Sequence, residues 1–102
     1  MEGSTMATYV VLAKFTDQGI RNVKQTTDRA ETARAMAQKV GCTMREIYWT
    51  LGEYDVVTII DAPDEKALTA FGLSLGAAGN VKSQTLRAFN KDEMTQILAK
   101  MG

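Results

Sequence analysis

The stretch Leu51–Ile60, LGEYDVVTII, opens on a glycine and the polar group Glu53, Tyr54 and Asp55, then turns almost wholly apolar and β-branched. Such a run reads as a strand, taken here as Tyr54 to Asp61. Side chains alternate along a strand. Tyr54, Val56, Thr58 and Ile60 therefore face one way, and Asp55, Val57, Ile59 and Asp61 the other. The middle of this strand is apolar or β-branched on both faces. An antiparallel sheet with one solvated face alternates apolar and polar residues, so both faces of this one need cover.

Upstream, Cys42 to Leu51 reads as the preceding strand, with Ile47, Trp49 and Leu51 on one face and Tyr48 on the other. Gly52 and Glu53 read as a tight turn joining the two into a hairpin. Thr8 to Phe15, TYVVLAKF, is the first strand, and it too is apolar on both sides. A polar loop, TDQGIRN, follows, with Gly19 as its flexible point. Asp28 and Glu31 stand in a capping-box-like spacing at the start of a helix. Ala30, Ala33, Ala37 and Val40 recur along that helix at helical intervals, and Gly41 ends it.

Downstream, Ala62-Pro63-Asp64-Glu65 opens a second helix, with proline in its first turn and acids at the positive end of its dipole. Leu68, Phe71 and Leu75 form its apolar side. Gly72, Gly76 and Gly79 form a bare stripe, read either as close approach of another backbone or as simple tolerance. Val81 to Phe89 is the last strand. Asp92 to Met101 is a terminal helix carrying Met94, Ile97, Leu98 and Met101 on one side.

The order β-α-β-β-α-β plus a tail helix is the α+β, ferredoxin-like arrangement: an antiparallel four-stranded sheet backed by two helices, with a further C-terminal helix. Two helices cover only one face of such a sheet. The other must be covered by a second subunit or by a ligand. Two sheets packed face to face would give a dimeric α/β-barrel with a shared interior.

The 102 residues suit one domain. It is placed at residues 6–102, with Met1–Thr5 read as an expression scar because a second methionine, Met6, directly precedes the first strand. Twelve basic residues balance twelve acidic ones, so the electrostatic footprint of a nucleic-acid binder is missing. No apolar run has the length to cross a membrane, and no signal peptide is evident. The chain has no histidine, which removes Ser-His and Cys-His catalysis and histidine-ligated zinc or haem. Cys42 is the one cysteine, so neither an internal disulfide nor a thiolate cluster can form. It reads as a small buried hydrophobe. No cofactor and no metal site is expected, and a reducing cytoplasm fits the cysteine usage.

Four segments in order, TYVVLAKFTDQGIRN, the GEYD turn, the APDE helix start and GNVKSQTLRAF, resemble the GYD domain family. That family is named for the Gly-x-Tyr-Asp element, here Gly52, Tyr54 and Asp55. The resemblance runs from about Met6 to the C-terminus. It implies a dimeric α/β-barrel protein, and the family carries no settled activity. GEYD, the apolar strand, the helix and a strand containing Val81 and Thr85 also resemble the effector domain of the leucine-responsive regulator family. Such domains bind amino-acid-like ligands between subunits; the helix-turn-helix of a DNA-binding regulator is absent.

Gly52, Tyr54 and Asp55 have two readings. In one they build the hairpin mouth, with Asp55 accepting backbone hydrogen bonds. In the other they line one end of a pocket. Thr16, Asp17, Gly19 and Asn22 form a second polar group after the first strand; Thr16 or Asp17 either caps a following helical turn or, with the group, contacts a ligand. Trp49 either packs or lines an apolar pocket. Arg45 and Arg87 read as solvated or salt-bridged. Three functions fit this sequence: an oligomeric small-molecule-binding or assembly module, a cofactor-independent enzyme akin to the small monooxygenases or isomerases of the same barrel superfamily, or a purely structural interaction protein. In the enzyme, proton transfer would fall to Asp55, Tyr54, Glu53 or the substrate.

Overall fold

The structure is a computed structural model and describes residues 6–102; Met1–Thr5 lie outside the described residues. The elements are β1 (Ala7–Phe15), α1 (Asp17–Arg21), a 3-10 turn (Val23–Gln25), α2 (Thr26–Lys39), β2 (Thr43–Trp49), β3 (Val56–Ala62), α3 (Glu65–Ala78), β4 (Val81–Ala88) and α4 (Lys91–Ala99). The four strands form one antiparallel sheet in the order β2-β3-β1-β4. This is the ferredoxin-like fold expected from the element order.

Tyr9 pairs with Ile60, Val11 with Thr58 and Ala13 with Val56. Direct partners share a face, so these six side chains lie on one side, under α2 and α3. There they join Met44, Ala37, Cys42, Ala62 and Phe71 in the buried core. Burying a side chain such as Ile60 or Phe71 contributes about 1.5–3 kcal/mol, which makes this face the main stabilising layer.

Several element boundaries differ from expectation, each for a local reason. Thr16 caps α1, its hydroxyl accepting from Gly19 N at 3.1 Å, so the polar loop contains a short helix. Gly19 is a close-approach residue rather than a flexible point: a Cβ there would lie 2.0 Å from Asn80 O. Helix α2 starts at Thr26 without a side-chain cap, which leaves Asp28 inside its first turn. Pro63 precedes the cap of α3 instead of standing in its first turn; Asp64 is the cap and accepts from Ala67 N at 2.8 Å.

The β2–β3 connection is longer than a tight turn. Residues 50–55 form the loop, closed by Thr50 N donating to Asp55 O at 2.8 Å and by the Thr50 hydroxyl donating to Tyr54 O at 2.6 Å. Leu51 is outside the strand and fully exposed. A bulge between Met44 and Glu46 keeps Met44, Ile47 and Trp49 on the helix side despite their uneven spacing. Gly72 and Gly76 have nothing within 4 Å of where a methyl group would stand, so no other described residue approaches closely there.

The other sheet face carries Val10 and Leu12 of β1, Val57 and Ile59 of β3, Tyr48 of β2 and Leu86 of β4, in two cross-strand rows. Among the described residues no helix seals it: Tyr48 is 55% and Leu86 41% exposed. Helix α4 buries none of its residues, and Leu98 is 53% exposed. The molecule is elongated, 51 × 30 × 18 Å, with a radius of gyration of 15.0 Å, against about 13 Å for a compact chain of this length. Among the described residues no helix is long and apolar enough to cross a membrane.

Candidate functional site

The residues singled out in the sequence fall into three places. The Gly52-Glu53-Tyr54-Asp55 element sits at the end of the sheet where β1 and β3 part. Asp55 N donates to Ala13 O at 2.9 Å, and its Oδ2 accepts from Phe15 N at 2.9 Å. The carboxylate thus extends the β1–β3 ladder by one bond that no backbone carbonyl supplies. Gly52 has a φ of +114°, a conformation that favours glycine. The Tyr54 hydroxyl donates to Gln84 Oε1 at 3.1 Å, and Lys14 Nζ lies 5.4 Å from the centre of its ring. Lys14 also pairs with Glu53 at 3.6 Å. These contacts tie the loop to β1 and β4 at one end of the open face.

The opposite end of that face holds a second polar group. The Thr8 hydroxyl donates to Asp61 Oδ1 at 2.8 Å, and Arg45 meets the same oxygen at 3.3 Å. Along the β2 edge, beside the two apolar rows, the Tyr48 hydroxyl donates to Glu46 Oε1 at 3.0 Å. That bond, helped by the charge of Glu46, raises the Tyr48 pKa above its ordinary 10.0. An apolar centre framed by polar ends is the anatomy of a protein interface.

Thr16 and Asn22 serve α1. The Thr16 hydroxyl donates to Gly79 O at 2.6 Å, and Asn22 Nδ2 donates to Gln18 O at 3.1 Å. Arg87 pairs with Glu93 at 3.7 Å and stacks over Phe89 at 4.5 Å.

Trp49 belongs to a different site. A cavity of about 170 Å³ lies between the helix face of the sheet and α2 with α3. Its inner end is lined by Met36, Met44, Ile60 and Phe71. At the other end stand Trp49, Thr26, Arg29 and Asn80. The Trp49 Nε1 donates to Thr26 Oγ1 at 3.0 Å, linking β2 to the start of α2 across that opening. Arg29 donates to Asn22 O at 2.6 Å and Gly19 O at 3.2 Å. Asn22 therefore reaches the cavity only through Arg29. Gly52, Tyr54, Asp55, Thr16 and Asn22 do not line it. Among the described residues its walls bear no carboxylate, lysine, cysteine or tyrosine, and Arg29 is the one charged side chain.

A sequence profile of the GYD domain matches residues 9–98. The chain belongs to the GYD family. Over 84 residues this GYD chain is 31% identical to the glutamine synthetase and cystathionine beta-lyase binding protein of Thermus thermophilus, covering 81% of this chain and 88% of the relative. Among solved structures, TTHA0845 from Thermus thermophilus superposes with a TM-score of 0.53 at 22% identity, over 83% of this chain and 95% of that one. MtbAldR superposes with a TM-score of 0.66 at 13% identity, over 83% of this chain. The GYD chain spans about half of MtbAldR, 52%. These two likenesses concern the fold.

Sequence reading missed Arg29, Ala33 and Thr58 as cavity residues. A signal existed for Thr58, the one hydroxyl between Val56 and Ile60 on the strand's inner side. Arg29 gave none, because one arginine on a polar helix face looks solvated. Among the described residues no group of three or more potential metal ligands comes together.

Proposed function

We propose that this GYD protein is a small oligomeric binding module, two copies of which close their open sheet faces on each other. The observation that carries this reading is the apolar block Val10, Leu12, Val57 and Ile59, flanked by Tyr48 and Leu86 and framed by polar clusters. A face of this composition in water forgoes about 25 cal/mol for each Å² of apolar surface it could bury. Pairing the faces also explains why β1 and β3 are apolar on both sides. The exposed side chains Met94 and Leu98 of α4, with Met101 just beyond its end, add apolar surface that the single chain leaves unburied. The relative named for binding glutamine synthetase and cystathionine beta-lyase supports a binding role for this chain, with protein partners beyond its own copies. The single buried thiol suits a reducing, cytoplasmic setting.

Sedimentation velocity from about 1 to 100 µM tests the reading. The parent should sediment as an oligomer, and Leu86→Glu should shift it toward monomer with the monomer fold intact, since the side chain is already part-exposed. A parent that stays monomeric throughout contradicts it.

The cofactor-independent enzyme gains less support. The proton-transfer candidates Glu53, Tyr54 and Asp55 lie away from the cavity and are engaged with Lys14, Gln84 and the β1 backbone.

A further inference from the structure

The helix-side cavity lies across the sheet from the proposed assembly face, and what it holds is independent of that assembly. Its space arises from small side chains where larger ones would close the layer: Ala13 on β1, Ala30 and Ala33 on α2 and Ala78 on α3. An apolar void costs stability roughly in proportion to its volume, so a cavity of about 170 Å³ is a feature to be accounted for. Engineered cavities of about 150 Å³ with apolar walls take up benzene. The volume therefore fits one ring or a short branched chain, and is below the range of about 300–1,000 Å³ typical for drug-sized ligands.

Two polar groups give this space a chemistry. Arg29 at the opening is held by two backbone carbonyls. Those bonds fix the guanidinium without neutralising it, and it has no carboxylate partner among the described residues. A guanidinium has five N–H donors in a fixed fork, so donors remain for a further acceptor. Thr58 is the second group. It is 7% exposed and lies on the cavity floor between its cross-strand neighbours Val11 and Ile47. Its hydroxyl has no side-chain hydrogen bond among the described residues. Valine has the same shape and would fill that place without the cost of burying a polar atom.

We infer that the cavity binds a compact apolar monocarboxylate, of the size of benzoate or phenylacetate. The hydrocarbon body packs against Ala33, Met36 and Ile47, and the carboxylate meets the Arg29 fork at the opening beside Trp49. A bidentate carboxylate suits that planar fork and brings the missing charge. The buried Thr58 hydroxyl gives the interior a polar point for an oxygen carried on the body.

The test is a titration of the full chain, followed by amide chemical shifts and Trp49 fluorescence, with phenylacetate and with its neutral relative 2-phenylethanol. The expected result is saturable binding of phenylacetate, with shifts at Ala33 and Thr58, at least tenfold tighter than the alcohol. Arg29→Gln should remove that tenfold preference, weakening the acid far more than the alcohol. Ala33→Phe, which fills the cavity, should abolish binding of both and keep the fold. Should Arg29→Gln disturb the fold, Arg29→Lys, which keeps the charge and loses the fork, should weaken phenylacetate alone. Equal affinity for acid and alcohol would overturn the carboxylate assignment. Binding that survives Ala33→Phe, or no saturable binding of the acid at millimolar concentration, would overturn the site.

Discussion

Replacing Asp55 with alanine removes one hydrogen bond, from Phe15 N to Asp55 Oδ2 at 2.9 Å. Phe15 is the last residue of β1, and its N–H points to where β3 has already left the ladder. Alanine leaves this donor unpaired. A hydrogen bond to a charged group contributes about 1.5–3 kcal/mol, and the site is only part-buried, so water recovers some of the loss; about 1–2 kcal/mol is expected. In a domain of this size each kcal/mol moves Tm by about 4–8 °C, giving a fall of about 4–16 °C. Asp55→Asn keeps an acceptor of the same shape and loses only the charge assistance, so it should cost less than half as much. Calorimetry or urea melts of the three proteins provide the comparison. An Asp55→Ala protein as stable as the parent would refute this account of the hairpin mouth and leave the Gly-x-Tyr-Asp element free for a ligand role.

Three further outcomes follow from the same structure. Gly19→Ala places a methyl carbon 2.0 Å from the Asn80 backbone oxygen, which forces the α1 and β4 junctions apart; a loss of about 3 kcal/mol or more is expected, and an unchanged urea midpoint would contradict the packing. Gly72→Ala and Gly76→Ala meet open space and should each stabilise α3 by about 0.8–1 kcal/mol; a fall in Tm would reveal another chain packed on that stripe. Burial, with the nearby Asp64 charge second, pushes the Cys42 thiol above its ordinary 9.0, so native protein should resist alkylation at pH 8. Because the folded state keeps this proton longer than the unfolded chain, the thiol's contribution to stability is complete below about pH 9 and is lost as pH rises through the raised folded value; Cys42→Ala should lose less stability over that alkaline range, and an identical alkaline decline in both proteins would rule this out.

The fold is legible in the sequence because its signals are redundant. Apolar, β-branched runs in β1 and β3, apolar spacing in α3 and the helix-ending Gly41 all point to the same layers. Boundaries are less legible where side chains capture backbone groups over long separations. Nothing near Leu51 announces that Asp55 will reach across to Phe15, so the connection reads as two residues instead of six. The bulge at Arg45 is equally hidden, because it is set by pairing with β3. The candidate cavity is the least legible part. Its defining property is missing volume beside Ala30 and Ala33, and an alanine that packs tightly reads the same as one that leaves a gap. Arg29 acquires its place through the carbonyls of Gly19 and Asn22, whose positions depend on the close contact of Gly19 with Asn80.

Whether copies meet through the open sheet face can be read from distances between spin labels on two copies. Cys42 is buried and should stay unlabelled, so single cysteines introduced by Lys82→Cys on the open face and Leu73→Cys on α3 report separately. Stacked sheets lie about 10 Å apart; allowing for the label arms, strong inter-copy coupling is expected at roughly 15–30 Å for the Lys82→Cys label, and longer distances for the Leu73→Cys label. Short distances between labels on α3, with none on the open face, would contradict it.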